Sequence, residues 1–249
     1  MLNDFLLEGK SVLVTGASSG IGRETAIRLA EQGASVMLTG RNRDALNETL
    51  SLMKNKDTHS LFAADMEDPS AFASLIENIG CCDGAVHCAG IYKSQPCRYI
   101  SESQLHQIMH LNFEIPVLLT KTLLKKRKIN KNGSVIFISS ILAYYVSEGS
   151  LAYGASKSAL NAAVRFFALE LSGLKIRVNA ISPGVVKTNF IRKNNTGISQ
   201  ERIDEDEKMY PLGYGTPEDV ANAVVFFLSD ASKWITGSNL IIDGGFSLR

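Results

Sequence analysis

The chain has 249 residues, enough for one large α/β domain or two small ones, and no Pro- or Gly-rich linker divides it. Its 26 basic and 25 acidic residues nearly cancel, which removes the electrostatic ground for nucleic acid or an anionic membrane as a partner. The first eight residues are too few and too acidic for a signal sequence, and no apolar run approaches ~18 residues, so a cytoplasmic protein is expected.

In chain order, residues 10–15 read as a compact apolar strand. The run Gly16-Ala17-Ser18-Ser19-Gly20-Ile21-Gly22 follows, and then a helical pattern over 23–32. Strand, glycine-rich turn and helix is the setting in which a loop holds phosphate. Glycines let the backbone turn sharply and approach a pyrophosphate, and free amides at the helix start supply donors and a favourable dipole. The spacing is Gly-x-x-x-Gly-x-Gly, not the commoner Gly-x-Gly-x-x-Gly, and a plain tight turn is the competing reading.

Gly33 closes that helix, and residues 34–39 give a second strand at βαβ spacing. A cofactor without a 2′-phosphate is usually met at this strand's end by a carboxylate that accepts from the ribose. Here Leu38-Thr39-Gly40-Arg41-Asn42-Arg43 holds none. Two cations near a helix start oppose its dipole, so an anionic partner explains them. The expectation is NADPH, with Arg41 on the 2′-phosphate, Asn42 beside it as a helix cap, and NAD as the alternative cofactor.

A third strand over 59–64 ends at Asp65, placed either to contact adenine or to cap the helix that starts near Pro69. A fourth strand, 83–88, leads into Ala89-Gly90, where backbone can pass close to a cofactor. A single helix is predicted over 101–128, with the polar Asn112 between Leu111 and Phe113. Its final Lys125-Lys126-Arg127-Lys128 suits a helix carboxyl end, a docking patch for an acidic carrier protein being the sharper reading. Cys81, Cys82, Cys88 and Cys97 lack Cys-x-x-Cys spacing, and His87 has no matching ligand pair, so free thiols and no metal site are expected.

Residues 134–138 form a short continuous apolar run, as in a strand covered on both faces. Ser140 stands at its end, and a long Ala- and Leu-rich helix over 150–171 carries Tyr153 and Lys157. Four residues apart on a helix, the two share a face. A nearby ammonium favours the phenolate and lowers a pKa that is otherwise near 10. Ser140 is placed to bond the same substrate oxygen. A sixth strand (176–181) runs into Ser182-Pro183-Gly184-Val185-Val186-Lys187-Thr188. The segment 189–215 is long for a connection and reads as a substrate lid or a charged surface helix. Thr216-Pro217-Glu218-Asp219 starts a further helix, and 239–242 is a last strand before Asp243-Gly244-Gly245.

Strands and helices alternate throughout, which implies a doubly wound parallel sheet of about seven strands in one domain over 1–249. The glycine loop, Asn112, Ser140, Tyr153 and Lys157 stand in the order and at the intervals of the classical short-chain dehydrogenases/reductases, which the chain resembles over essentially its whole length. Its closest likeness is to the 3-oxoacyl-carrier-protein reductase-like branch, from Pro211-Leu212-Gly213 through Asp243-Gly244-Gly245. The resemblance implies a Rossmann fold and a catalytic set of Asn112, Ser140, Tyr153 and Lys157. It implies a nicotinamide cofactor held by Gly16, Ser18, Ser19, Gly20, Ile21 and Gly22, by Arg41, Asn42, Asp65 and Met66, by Cys88, Ala89 and Gly90, by Tyr153 and Lys157, and by Pro183, Gly184, Val186 and Thr188.

In the implied reaction a hydride passes between nicotinamide and a carbonyl or secondary alcohol, with Tyr153 as proton donor. Lys157 lowers its pKa and holds the ribose, and Asn112 holds a relay water. A homotetramer packed through the helices at 101–128 and 150–171 is also implied, a dimer being the alternative. Two departures stand out. His87-Cys88-Ala89-Gly90 replaces the family's common Asn-Asn-Ala-Gly, and Ser19 stands where many NADP-dependent members have arginine, so the preference rests on Arg41. Residues 91–104 lack the loop of the fatty-acid enzyme, which leaves 3-oxoacyl-carrier-protein reduction as the second activity and a cofactor-binding regulator as the third. Tyr144, Tyr145, Val146, Phe190, Ile191 and Met209 are expected to line an apolar substrate pocket.

Overall fold

The computed structural model describes residues 3–188 and 200–248. Apolar runs become strands β1 (Ser11–Thr15), β2 (Ser35–Gly40), β3 (Ser60–Ala63), β4 (Cys82–His87), β5 (Ile129–Ile138), β6 (Arg177–Pro183) and β7 (Asn239–Ile242). They pair, all parallel, in the order β3-β2-β1-β4-β5-β6-β7. Chain order reverses between β1 and β4, which share an edge through Thr15 and His87. Such a switch point leaves a crevice at the strands' carboxyl ends.

Helices cover both faces, and the strand pleat feeds both. In β1, Val12 and Val14 pack with α1 (Gly20–Glu31), α2 (Arg43–Leu52) and a late helix, Pro217–Leu228, through Leu29, Leu46 and Val224. Leu13 points the other way, into a cluster with α3 (Pro69–Asn78), through Leu75 and Ile76. In β5, Ile136 and Ile138 alternate with Val135 and Phe137 in the same manner. Such two-sided burial requires continuous apolar runs, each buried aliphatic side chain contributing ~1.5–3 kcal/mol.

The helix predicted over 101–128 is broken. It is α4 (Glu102–Met109), a π turn (His110–Glu114) and α5 (Ile115–Lys125). Pro116 gives the reason. It has no N–H for the carbonyl of Asn112 four residues back, and its ring crowds that carbonyl, so the turn widens around Asn112. The basic run then leaves helical geometry, with Arg127 at φ 55°, and Lys128 Nζ donates to the carbonyls of Glu77 and Ile79.

α6 (Leu151–Glu170) carries Tyr153 and Lys157 and packs against α4 and the π turn. In the long 189–215 segment, the described part contains α7 (Gln200–Glu207), and Pro217–Leu228 is α8, opened by a capping box between Thr216 and Asp219. Among the described residues, no helix is long and apolar enough to cross a membrane.

Candidate active site

The carboxyl ends of β1, β4, β5 and β6 open onto one cleft of about 1080 Å³. At its β1 side the glycine loop is a backbone cradle. Gly16 sits at φ +66°, and a Cβ there would lie 2.9 Å from the amide nitrogen of Ala89; at Gly22 it would lie 2.3 Å from the carbonyl oxygen of Gly16. Any side chain at either position would push the loop open. Thr15 Oγ1 accepts from the amides of Cys88 and Ala89 at 3.1 and 3.2 Å, locking β1 to β4 beneath the cradle. Arg23 donates to the Ser18 carbonyl at 2.8 Å and to Glu48 at 2.9 Å, fixing the loop to α2. Ser18, Ser19, Gly20, Ile21 and Gly22 line the cleft where the first amides of α1 lack intrahelical acceptors. That donor set fits a pyrophosphate.

Beyond β2, Gly40 packs on Ser18 and Arg41 lines the cleft, exposed and without an ion-pair partner among the described residues. Asn42 lies off the cleft, because its side chain accepts from the Ala45 amide at 3.0 Å as the cap of α2. Asp65 and Met66 line the cleft. Asp68, not Asp65, caps α3, accepting from Ser70 at 2.9 Å.

At the β5 end, Ser140 Oγ accepts from the Leu142 amide at 3.2 Å, and Ser140 lines the cleft together with Tyr153, whose phenol pKa it pulls down. Lys157 is 5% exposed; its Nζ donates to the Ile138 carbonyl at 2.8 Å and lies 5.6 Å from the centre of the Tyr153 ring. Burial brings the ammonium pKa down to about 8. Burial also pushes the Tyr153 phenol up to about 12, against the pull of Ser140. In this structure burial, not Lys157, sets the direction of the Tyr153 shift, and the lysine is turned to a backbone carbonyl. Asn112 is buried off the cleft. Its amide clamps Ile91, accepting from the nitrogen at 2.8 Å and donating to the oxygen at 2.9 Å, and donates to Ser156 at 3.1 Å. A relay water would have to meet the Asn112 carbonyl, the oxygen that Pro116 leaves without its helical donor.

A family model described as enoyl-(acyl carrier protein) reductase matches residues 16–247. Human (3R)-3-hydroxyacyl-CoA dehydrogenase is 33% identical, with 96% of each chain covered. The chain belongs to the short-chain dehydrogenase/reductase family. The 3-oxoacyl-(acyl-carrier-protein) reductase FabG of Rickettsia bellii is 32% identical over 96% of this chain and 97% of its own. A structure described as a 2-deoxy-d-gluconate 3-dehydrogenase from Agrobacterium tumefaciens, with bound NADP, superposes with a TM-score of 0.88 at 29% identity, covering 99% of this chain and 100% of that one. The protein is accordingly an oxidoreductase acting on hydroxyl or carbonyl groups.

In this short-chain dehydrogenase/reductase, Cys88, Ala89, Gly90, Pro183, Gly184, Val186 and Thr188 all line the same cleft, with Thr188 against Gly20. Burial pushes the Cys88 thiol up to about 12. Of the expected substrate wall, Tyr145, Val146 and Met209 line the cleft. Tyr144 does not, its hydroxyl accepting from Asn239 at 3.1 Å, and Phe190 and Ile191 lie outside the described residues.

Sequence reasoning missed Tyr92, Tyr210 and Phe246. Phe246 stacks on Tyr210 at 4.7 Å beside Tyr145, whose hydroxyl donates to the Ser247 carbonyl at 2.6 Å. Aromatic residues just past Ala-Gly and Gly-Gly pairs were the available signal. Among the described residues, no group of three or more His, Cys, Asp or Glu is placed to hold a metal ion.

Proposed function

We propose that the protein is an NADPH-dependent reductase of ketones, or in reverse a dehydrogenase of secondary alcohols, working through Ser140, Tyr153 and Lys157. The observation that carries this reading is the gathering of Ser140, Tyr153 and Lys157 on the wall at one end of a cleft whose other end is the glycine cradle. A bound nicotinamide supplies the hydride that goes to the carbonyl carbon. Tyr153 gives its proton to the carbonyl oxygen, and a phenol held near 12 carries that proton at neutral pH. Ser140 orients the same oxygen. Lys157 anchors the end of β5 through Ile138 and offers its remaining donors to the cofactor ribose.

Arg41 supports NADP over NAD, because its guanidinium stands on the cleft wall with no ion-pair partner among the described residues, and residues 38–43 at the end of β2 hold no carboxylate. The NADP-bound neighbour points the same way. A cytoplasmic homotetramer is part of the same reading, with exposed Leu118, Phe166 and Leu169 on α5 and α6 as the apolar surface it would cover.

A second reading, reduction of a 3-oxoacyl thioester, is favoured by relatives that carry the names 3-oxoacyl-(acyl-carrier-protein) reductase and (3R)-3-hydroxyacyl-CoA dehydrogenase. Optical oxidation of NADPH with acetoacetyl-CoA, with NADH in parallel, tests both. Turnover with NADPH alone is expected; turnover with NADH alone would remove the cofactor assignment, and turnover only with simple ketones would remove the thioester.

A further inference from the structure

Tyr92 lies two residues past Gly90, and neither the catalytic set nor the glycine cradle uses it. Its ring meets the Tyr153 ring edge to face, with centroids 5.1 Å apart at 86°. Its hydroxyl is 3.1 Å from Ser150 Oγ, on the buried residue that precedes α6. The ring is therefore held at both ends of the turn that presents Tyr153.

The contacts close a circuit. Asn112 clamps the backbone of Ile91, the residue before Tyr92. Asn112 also donates to Ser156 Oγ, and Ser156 donates to the Tyr153 carbonyl at 2.7 Å. Tyr153 is thus gripped through its main chain by Asn112 and Ser156 and through its ring by Tyr92. An edge-to-face pair sets the positive edge of one ring against the negative face of the other, which favours one rotamer.

We propose that Tyr92 is a positioning residue for Tyr153: its edge-to-face contact fixes the rotamer of the proton-donating phenol, and its bond to Ser150 fixes Tyr92. The proposal rests on the reading of Tyr153 as proton donor. The groups around the Tyr153 phenol are Ser140 from the end of β5, Lys157 from α6 with Cys88 beside it, and Tyr92 from the loop after β4. Of these, Tyr92 holds the Tyr153 pKa up and Ser140 pulls it down.

The experiment compares Tyr92→Phe, Tyr92→Leu and Ser150→Ala in the full chain by two readouts. One is kcat and KM with acetoacetyl-CoA and NADPH. The other needs no substrate: the tyrosinate absorbance titration, with the share of Tyr153 taken as the difference from the same chain carrying Tyr153→Phe. Tyr92→Leu should lower kcat about tenfold, with KM and NADPH affinity within about twofold, as misplacement of a reacting group does. Ser150→Ala should show a smaller loss of the same kind. Tyr92→Phe keeps the ring and should move the Tyr153 ionisation to lower pH.

An unchanged ionisation in Tyr92→Phe, or a kcat for Tyr92→Leu within twofold of the parent, would overturn the proposal. So would parallel losses of kcat, NADPH affinity and thermal stability, which mark a merely structural residue. Full turnover by Tyr153→Phe would instead remove the mechanism on which it rests.

Discussion

The two ends of the cleft are held in opposite ways. At the β5 end, Lys157, Asn112 and Ser156 are buried and their polar atoms are hydrogen-bonded, and the Tyr153 ring is packed edge to face on Tyr92. At the β2 end, Arg41 is exposed with no ion-pair partner among the described residues, while the adjacent Asn42 is occupied in capping α2. A proton-transfer site needs fixed geometry before substrate arrives, and burial among satisfied partners supplies it. A site that distinguishes a phosphate from a hydroxyl needs only a charge within reach, and a flexible arginine suffices.

The sharpest way to break this comparison is at Tyr153. Replacing it with Phe keeps the ring and its contact with Tyr92 but removes the hydroxyl and the proton it would donate. Turnover should fall by about 10³-fold, within the range for a general acid, while NADPH affinity, read from nicotinamide fluorescence, stays within about twofold. A variant that kept its turnover would show that another group supplies the proton.

Arg41→Ala tests the other end, with a smaller expected effect. Loss of one charge-assisted contact should weaken NADPH about 10–100-fold and leave NADH nearly unchanged. Equal losses for both cofactors would move the 2′-phosphate site elsewhere.

The β5 end was the more legible in the sequence, for a physical reason. Tyr153 and Lys157 are one helical turn apart, so helical periodicity alone puts them on one face, and the apolar run that Ser140 follows marks a strand end. The glycine loop was legible in the same way, and the seven-stranded sheet followed from runs buried on both faces. What could not be read were partners far apart in sequence. Asn112 reaches Ile91 and Lys157 reaches the Ile138 carbonyl between separate elements, 21 and 19 positions away, and no period in the chain announces either contact. The π turn was readable in principle, since Pro116 stands four residues after Asn112. The continuous apolar pattern concealed the break.

The smallest expected effect concerns His87, which stands where the family commonly has asparagine. It is buried, stacked on Phe137 at 4.7 Å, with Nε2 2.8 Å from Thr120 Oγ1 and no hydrogen-bond partner for Nδ1 in the described structure. Burial brings its pKa down to about 3 from an unfolded value of 6.5. Above 6.5 the imidazole is neutral in both states, and its titration contributes nothing to the pH dependence of stability. As pH falls from 6.5 toward 3, the unfolded chain binds a proton that the folded chain refuses, so stability declines, at most ~1.4 kcal/mol per pH unit for this one group.

His87→Asn should lower stability at pH 7 through lost stacking, and should flatten the decline between pH 6.5 and 5 in urea unfolding. The slope is the informative quantity. An unchanged slope would mean that the buried imidazole finds a way to take its proton without unfolding, and the buried end of the cleft would then be less rigid than its hydrogen bonds imply.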